Sequence, residues 1–293
     1  MGFASYDDLI SELSTGGKFW RADMNKITGG SAYTAGRWYD FSGLAGTPVA
    51  NAWAGTALAW RSCDESTGNG TQIFGAWHGG NVSTDTKHIL NVSALTGVAT
   101  GVPGVFMLVD LQGYWPGISN NSAVAQTLTG TPTLRYANGA GCRLFAVQTA
   151  ASGATAQNIA LSYTDQSGNT GNTLPVTVAC TASAIAGHIT HSGTAANNYG
   201  PFLPLATGDT GVQNVATVTM SAANTGTFAL CLARPLLTVP ITTLGVAGER
   251  DLVNQLPSLP QVKDGACLVW LYFAGAATAA STNFYLSADF GWG

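Results

Sequence analysis

Residues 142–178 read CRLFAVQTAASGATAQNIALSYTDQSGNTGNTLPVTV, and the periodicity of this stretch decides the fold class. Two runs alternate apolar with small polar side chains, the period-two signature of a half-buried strand. In the second run Ile159, Leu161 and Tyr163 point one way, while Ala160, Ser162 and Thr164 point the other. Between that run and the closing VTV lies DQSGNTGN, Asp165 to Asn172, which is almost all turn chemistry. Its glycines supply positive φ, and its Asn and Asp side chains bond back to the backbone. The same strand-turn-strand pattern recurs along the chain. It predicts a mainly β protein with a jelly-roll or β-sandwich body, built as one large or two small sandwiches.

Working outward, ALAWRS (57–62), TQIFGAWHG (71–79) and KHILNVS (87–93) read as strands. GVFMLVDLQGYW (104–115) is a continuous apolar run, predicted to be buried on both faces and to end at Pro116-Gly117. Asn138-Gly139 is a favoured hairpin dipeptide between Tyr136 and Cys142. Further strands are expected at HITHS (188–192), VATVTMS (215–221), TFALCLARPLLTVPI (227–241) and in two long runs after Ala266. Near the N-terminus, Ser5 can cap a short helix. Asp7 and Asp8 suit the positive end of its dipole, and Tyr6, Leu9, Ile10 and Leu13 form one apolar stripe ended by Gly16-Gly17. A second short helix is expected over 249–256, stopped by Pro257. The domain expectation is a helix and extended arm over 1–45 and a β body over 46–293, with a possible split near 180–200.

Charge is scarce: 9% of residues are charged, against about 25% in typical soluble domains. Nine of the 26 charges fall in the first 40 residues, whereas Leu144 to Gly248 holds only Asp165, Asp209 and Arg234. Interspersed charge normally guards a free protein against self-association, so a body this neutral suits a subunit of an assembly, the alternative being a Thr-rich extracellular β-domain. The net charge of −4 and the lack of lysine between His88 and Val262 argue against nucleic acid as a partner. Five scattered cysteines without a CxxC pair fit reduced thiols made in a cytoplasm. Neither a signal peptide nor a long apolar span is visible, so no membrane role is expected.

Candidate chemistry is thin. His188 and His191 are three apart, which on a strand places them on opposite sides. Asp165-Gln-Ser-Gly-Asn169 has oxygens at alternate positions, but Val176 stands where a calcium loop needs a bidentate Glu. Asp64-Glu65, Glu249 and Asp251 read as solvated acids. No catalytic residue, cofactor site or metal site is expected, and the protein is read as a non-enzyme. The aromatic and charged residues Phe19, Trp20, Arg21, Arg37, Trp38 and Tyr39, with Tyr6, Leu9, Ile10 and Leu13 before them and Glu249, Arg250 and Asp251 far beyond, have the composition of an interface, and the N-terminal ones equally that of an arm wrapping its own domain. The alternative is a carbohydrate-binding β-sandwich that stacks sugars on Trp53, Trp60, Trp77 and Trp115, or a tail or receptor-binding component. A hydrolase ranks behind both.

Three phrases carry a resemblance: SYDDLISELSTGGKFWRADMNKITG, LRYANGAGCRLFAVQTAASGATAQNIALSYTDQSGNTGNTLP and GERDLVNQLPSLPQVKDGACLVWLYF. They resemble virion structural proteins of tailed bacteriophages. The resemblance implies a capsid cement or decoration subunit with a jelly-roll or sandwich body, located in the virion and assembled in the host cytoplasm. Its implied partners are the major capsid protein and itself, as a homotrimer or other homo-oligomer. A shell protein is less fitting, because no long spine helix is legible.

Overall fold

A computed structural model describes residues 2–65, 74–193, 200–255 and 259–293. In chain order the elements are α1 (Tyr6–Ser14), β1 (Phe19–Ile27), β2 (Arg37–Asp40), β3 (Ala45–Thr47), β4 (Arg61–Ser62), β5 (Lys87–Thr96), β6 (Gly104–Ser119) and β7 (Gln126–Thr127). They continue with β8 (Arg143–Ala150), β9 (Gln157–Asp165), β10 (Asn172–Thr173), β11 (Val178–Cys180), β12 (Val212–Met220) and β13 (Thr227–Ile241). The last are β14 (Gly248–Asp251), α2 (Leu252–Gln255), β15 (Gln261–Val262), β16 (Leu268–Ala274) and β17 (Asn283–Trp292). The mainly β expectation holds, with a short helix at the N-terminus.

The strands form three antiparallel sheets. The first runs β14-β5-β17-β1-β3, the second β10-β9-β12-β7, and the central one β2-β16-β6-β13-β8. The second sheet contains the stretch that decided the fold class. Ile159, Leu161 and Tyr163 are buried, and β10 and β11 both return antiparallel onto β9. The turn between them is tied by the Asp165 carboxylate, which accepts from the Ser167 N–H at 2.7 Å and the Asn169 N–H at 2.9 Å.

The central sheet is closed on itself. Gly187 to Thr190 lies between its two edge strands and hydrogen-bonds to both. Asp40 N–H donates to Gly187 O at 2.8 Å and Ile189 N–H to Trp38 O at 3.0 Å; on the other side Gln148 N–H donates to His188 O and Thr190 N–H to Ala146 O, each at 2.9 Å. The five strands and this strap make a small closed barrel. Its interior takes one side chain or more from every stave: Trp38, Leu271, Leu111, Cys231, Phe145 and Ile189. Such a narrow interior needs small residues beside large ones, and along β13 it receives Ala229, Cys231 and Ala233. The intervening Phe228, Leu230 and Leu232 point outward into a second core, against β9 and β12. A register shift between Pro235 and Leu237 then moves the alternation by one residue. Leu237, Val239 and Ile241 consequently join the core beneath the first sheet.

Several expectations are corrected. Phe19 to Ile27 is no arm: β1 is paired on both sides, by β17 and β3, and buries Ala22 and Met24. The residues before β1, α1 among them, stand outside the sheets. The suggested split near 180–200 falls on the strap that closes the barrel, although residues 194–199 lie outside the described residues. The expected helix over 249–256 begins as strand β14 and turns helical only at Leu252, with residues 256–258 undescribed. Of TQIFGAWHG, 71–73 lie outside the described residues and 74–79 form no strand. Asn138-Gly139 does make a left-handed turn, with φ of 56° and 65°, and a Cβ on Gly139 would sit 2.0 Å from Val212 O. No hairpin flanks it: Ala140 beyond the turn bridges Gly211 instead.

Candidate functional site

The buried charges of Arg135, Asp110, Lys26 and Lys87 are held by structural partners. Arg135 forms an ion pair with the fully buried Asp110, through Nη2 to Oδ1 at 2.5 Å and Nε to Oδ2 at 3.2 Å. Its remaining donors reach the carbonyls of Cys63 at 2.6 Å and Leu111 at 2.5 Å. Asp110 also accepts from Cys267 N–H at 3.1 Å, so this pair ties β6, β16 and two loops together. Lys26 is buried with Nζ donating to the carbonyls of Leu44 at 3.1 Å, Pro48 at 2.5 Å and Val49 at 3.4 Å. Lys87 is likewise buried, on the carbonyls of His78 and Gly80 at 2.5 and 2.6 Å and against the Trp292 ring at 4.7 Å.

A cavity of about 200 Å³ is lined by Asn51, Arg61, Cys63, Asp64 and Cys267. Behind it Glu65, expected as a solvated acid, is buried; it accepts from the Phe74 and Gly75 N–H groups and from the Cys267 thiol at 3.5 Å. Burial pushes the Glu65 carboxyl up to about 7 against these hydrogen bonds, and burial drives the Cys267 thiol well above its ordinary value. A thiol that keeps its proton is a packing group and a poor nucleophile. All five cysteines are free.

His188 and His191 belong to the strap region and are both buried. The His188 ring lies 5.1 Å from that of Tyr39 and its Nε2 is 3.3 Å from Ser192 Oγ. Burial pushes both imidazoles down to about 3, with the Arg37 charge adding to the effect at His188. They are neutral core histidines at physiological pH. Among the described residues no cluster of three or more His, Cys, Asp or Glu side chains is arranged to hold a metal ion, and no helix is long and apolar enough to cross a membrane.

The aromatic candidates for sugar stacking are spent on packing. Trp115 is fully buried with its ring 4.6 Å from Trp60, and Trp53 packs edge-on to Tyr114 at 4.9 Å. Trp77 packs edge-on to Trp20 at 4.7 Å, and Trp20 Nε1–H donates to the Trp77 carbonyl at 2.9 Å.

The residues read as an interface divide into three groups. Trp38 and Tyr39 are buried: Trp38 fills the barrel, and Tyr39 stacks on Tyr33 at 3.8 Å. Arg37 is half-buried at the start of β2. Glu249, Arg250 and Asp251 form an edge strand whose charges have local partners. Asn91 donates to Glu249 at 2.9 Å, Arg250 donates to Thr238 O at 3.1 Å, and Asp251 accepts from Val253 N–H at 3.0 Å. Arg21 is paired with Asp23 at 3.1 Å and Asp289 at 3.4 Å on the open face of the first sheet.

The third group is α1. Ser5 Oγ caps it by accepting from Asp8 N–H at 3.1 Å, while the Asp8 carboxylate accepts from Ala4 N–H at 2.8 Å. Leu9 is buried, and Leu13 is half-buried against Gly291 of β17. Lys18 fixes the end of the helix through ion pairs of 3.0 Å with both Glu12 and Asp85. The helix is thereby anchored by one side of its stripe. The other side is largely exposed, Tyr6 60% and Ile10 61%, with the Tyr6 hydroxyl donating to Val253 O at 3.4 Å. Phe19 and Trp20, at the start of β1, are exposed as well. This is the part of the expected interface that remains available.

No family model matches the chain, and no curated protein matches it. Among solved structures it aligns with the crystal structure of the infectious bursal disease virus VP2 subviral particle, over 96% of this chain and 85% of that one, at 7% identity and a TM-score of 0.20. So low a score supports no argument about fold or function, which rest on the geometry above.

Proposed function

We propose that the chain is a non-enzymatic structural subunit of a virus particle, a cement or decoration protein of the tailed-phage type that its sequence resembles. It joins its neighbours, the major capsid protein and further copies of itself, through protein-protein contacts. The observation that carries this reading is the anchored helix with an outward apolar stripe, Tyr6 and Ile10, on a body that offers few charges. Holding α1 rigidly removes the ordering cost that a loose segment would meet on binding. The neutral hydroxyl-rich faces support the same reading, since interface cores are depleted in charge.

The test is copurification. Produced alongside the other structural proteins of the virus that encodes it, the wild-type chain should band with particles in many copies. The Tyr6→Ser/Ile10→Ser variant, folded by circular dichroism, should stay in the soluble fraction. A wild-type chain absent from the particles overturns the reading.

A further inference from the structure

Cations are rare here, yet two of them share one groove. A cavity of about 610 Å³ lies between the turn after Arg135, the middle of β13 and the segment entering β15. Its apolar floor includes Tyr136, Pro235, Leu236 and Pro260, and Arg234 and Lys263 stand on its walls. The charge of Arg135, which also lines it, is taken up by Asp110. Arg234 is fixed in place, its guanidinium 4.3 Å over the Tyr136 ring and Nη1 donating to Ala140 O at 3.1 Å. Lys263 has neither hydrogen bond nor ion pair to its side chain among the described residues, and no carboxylate lines the groove. Such a site asks for a ligand with an acidic group beside apolar surface.

The chain carries that chemistry itself. On α1 the exposed Ile10 neighbours both Tyr6, four residues before it, and Asp7, three before it. The other acids of the helix are engaged, Asp8 by the Ala4 N–H and Glu12 by Lys18, whereas Asp7 has no side-chain partner among the described residues. An acidic and apolar helix face complements a basic and apolar groove in sign and in polarity. We infer that α1 of one copy docks into this groove of a second copy, with Asp7 against Lys263 and Arg234, and Tyr6 and Ile10 on Pro235 and Leu236. This inference rests on the reading of α1 as the assembling element and names its partner.

The experiment is sedimentation velocity of the full chain across a concentration series, with charge reversals on each side. Asp7→Lys and Lys263→Glu should each weaken self-association about tenfold, and the Asp7→Lys/Lys263→Glu double variant should recover most of the loss, as expected for a close charge pair across an interface. Asp7 is exposed and Lys263 half-buried, and unchanged melting temperatures confirm that each variant is folded. A wild-type chain that stays monomeric, single variants without effect, or a double variant with no recovery each overturn the inference. If recovery fails while Tyr6→Ser/Ile10→Ser still excludes the chain from particles, the helix meets a different protein and the structural reading stands. If the wild-type chain is missing from particles, it is the structural reading that falls.

Discussion

The two outer sheets pack on the same barrel and are built from opposite chemistry. The strands of the first, β1, β3, β5, β14, β15 and β17, carry eight charges: Arg21, Asp23, Lys26, Lys87, Glu249, Arg250, Asp251 and Asp289. Those of the second, β7, β9, β10, β11 and β12, carry only Asp165, and its carboxylate is committed to its own turn. Their cores differ too. Under the first sheet lies an aromatic cluster in which Phe106 approaches Phe41, Tyr272 and Phe284 at 4.8, 4.8 and 5.4 Å. Under the second lie mainly aliphatic residues such as Ile159, Leu161, Val215 and Val218. The charge asymmetry of the sequence is therefore a difference between two layers of one body. The neutral layer is held by burial and turn chemistry, and the charged layer also carries α1.

If that contrast is right, truncation should hurt the aromatic layer most. Phe106→Ala should lose about 5 kcal/mol in urea unfolding, because several rings lose a partner at once, while Leu161→Ala in the other layer should lose about 3 kcal/mol. Equal losses would mean that the two cores are energetically alike. Arg135→Met tests the junction, since it strands the Asp110 carboxylate in the interior. It should lose about 3 kcal/mol, and adding Asp110→Asn should return part of it.

Acid should act through the strap between the layers. The native imidazoles of His188 and His191 lie near 3, below their unfolded value of 6.5. Between those limits the unfolded chain binds more protons, so their contribution is complete above 6.5 and is lost as pH falls toward 3. Glu65 works the other way: its native value near 7 lies above the unfolded one near 4.5, so its contribution declines as pH rises across that window. Below 4.5 the histidines act unopposed by it. Thermal melts of His191→Phe should accordingly show a shallower acid limb than the wild type, and an unchanged limb would remove His191 from the account.

Much of this architecture is readable from alternation. β9, β12 and β13 announce themselves because each buries one face and exposes or re-buries the other. β1 did not, although Ala22 and Met24 alternate with Arg21, Asp23 and Asn25, because its charges read as solvent-facing. The structure keeps that rule at Arg21 and Asp23 and breaks it at Lys26, whose ammonium is received by three carbonyls. The strap was legible only in part: HITHS reads as a strand, but not which strands it joins. Its pairing is entirely main-chain and three or four residues long, so no side-chain period marks those partners. Trp38 and Tyr39 were read as an interface because aromatics beside Arg favour both interfaces and tightly packed barrels, and composition alone does not separate the two. The outward half of α1 was legible, since its cap and stripe are local. The groove was not, because Arg234 and Lys263 meet only through the fold.

The smallest effects give the finest test of the two-layer contrast, since they ask what a single charge does in each setting. Arg21 and Asp23 sit on the open face of the first sheet, half-exposed or more, where solvent screens the pair and two long side chains must be ordered to form it. Arg21→Ala should change stability by about 0.5 kcal/mol or less. Asp165 is the lone charge of the second sheet, and it accepts two backbone N–H groups and the Asn169 side chain. Asp165→Ala leaves those donors without their acceptor and frees the 166–171 turn, for a larger loss than Arg21→Ala. The ranking runs against a count of charges, because the layer with eight tolerates the removal of one better than the layer with one. Chemical denaturation of the two variants side by side checks it, and a larger loss from Arg21→Ala would mean that the charged face is a structural network and not a surface left open for partners.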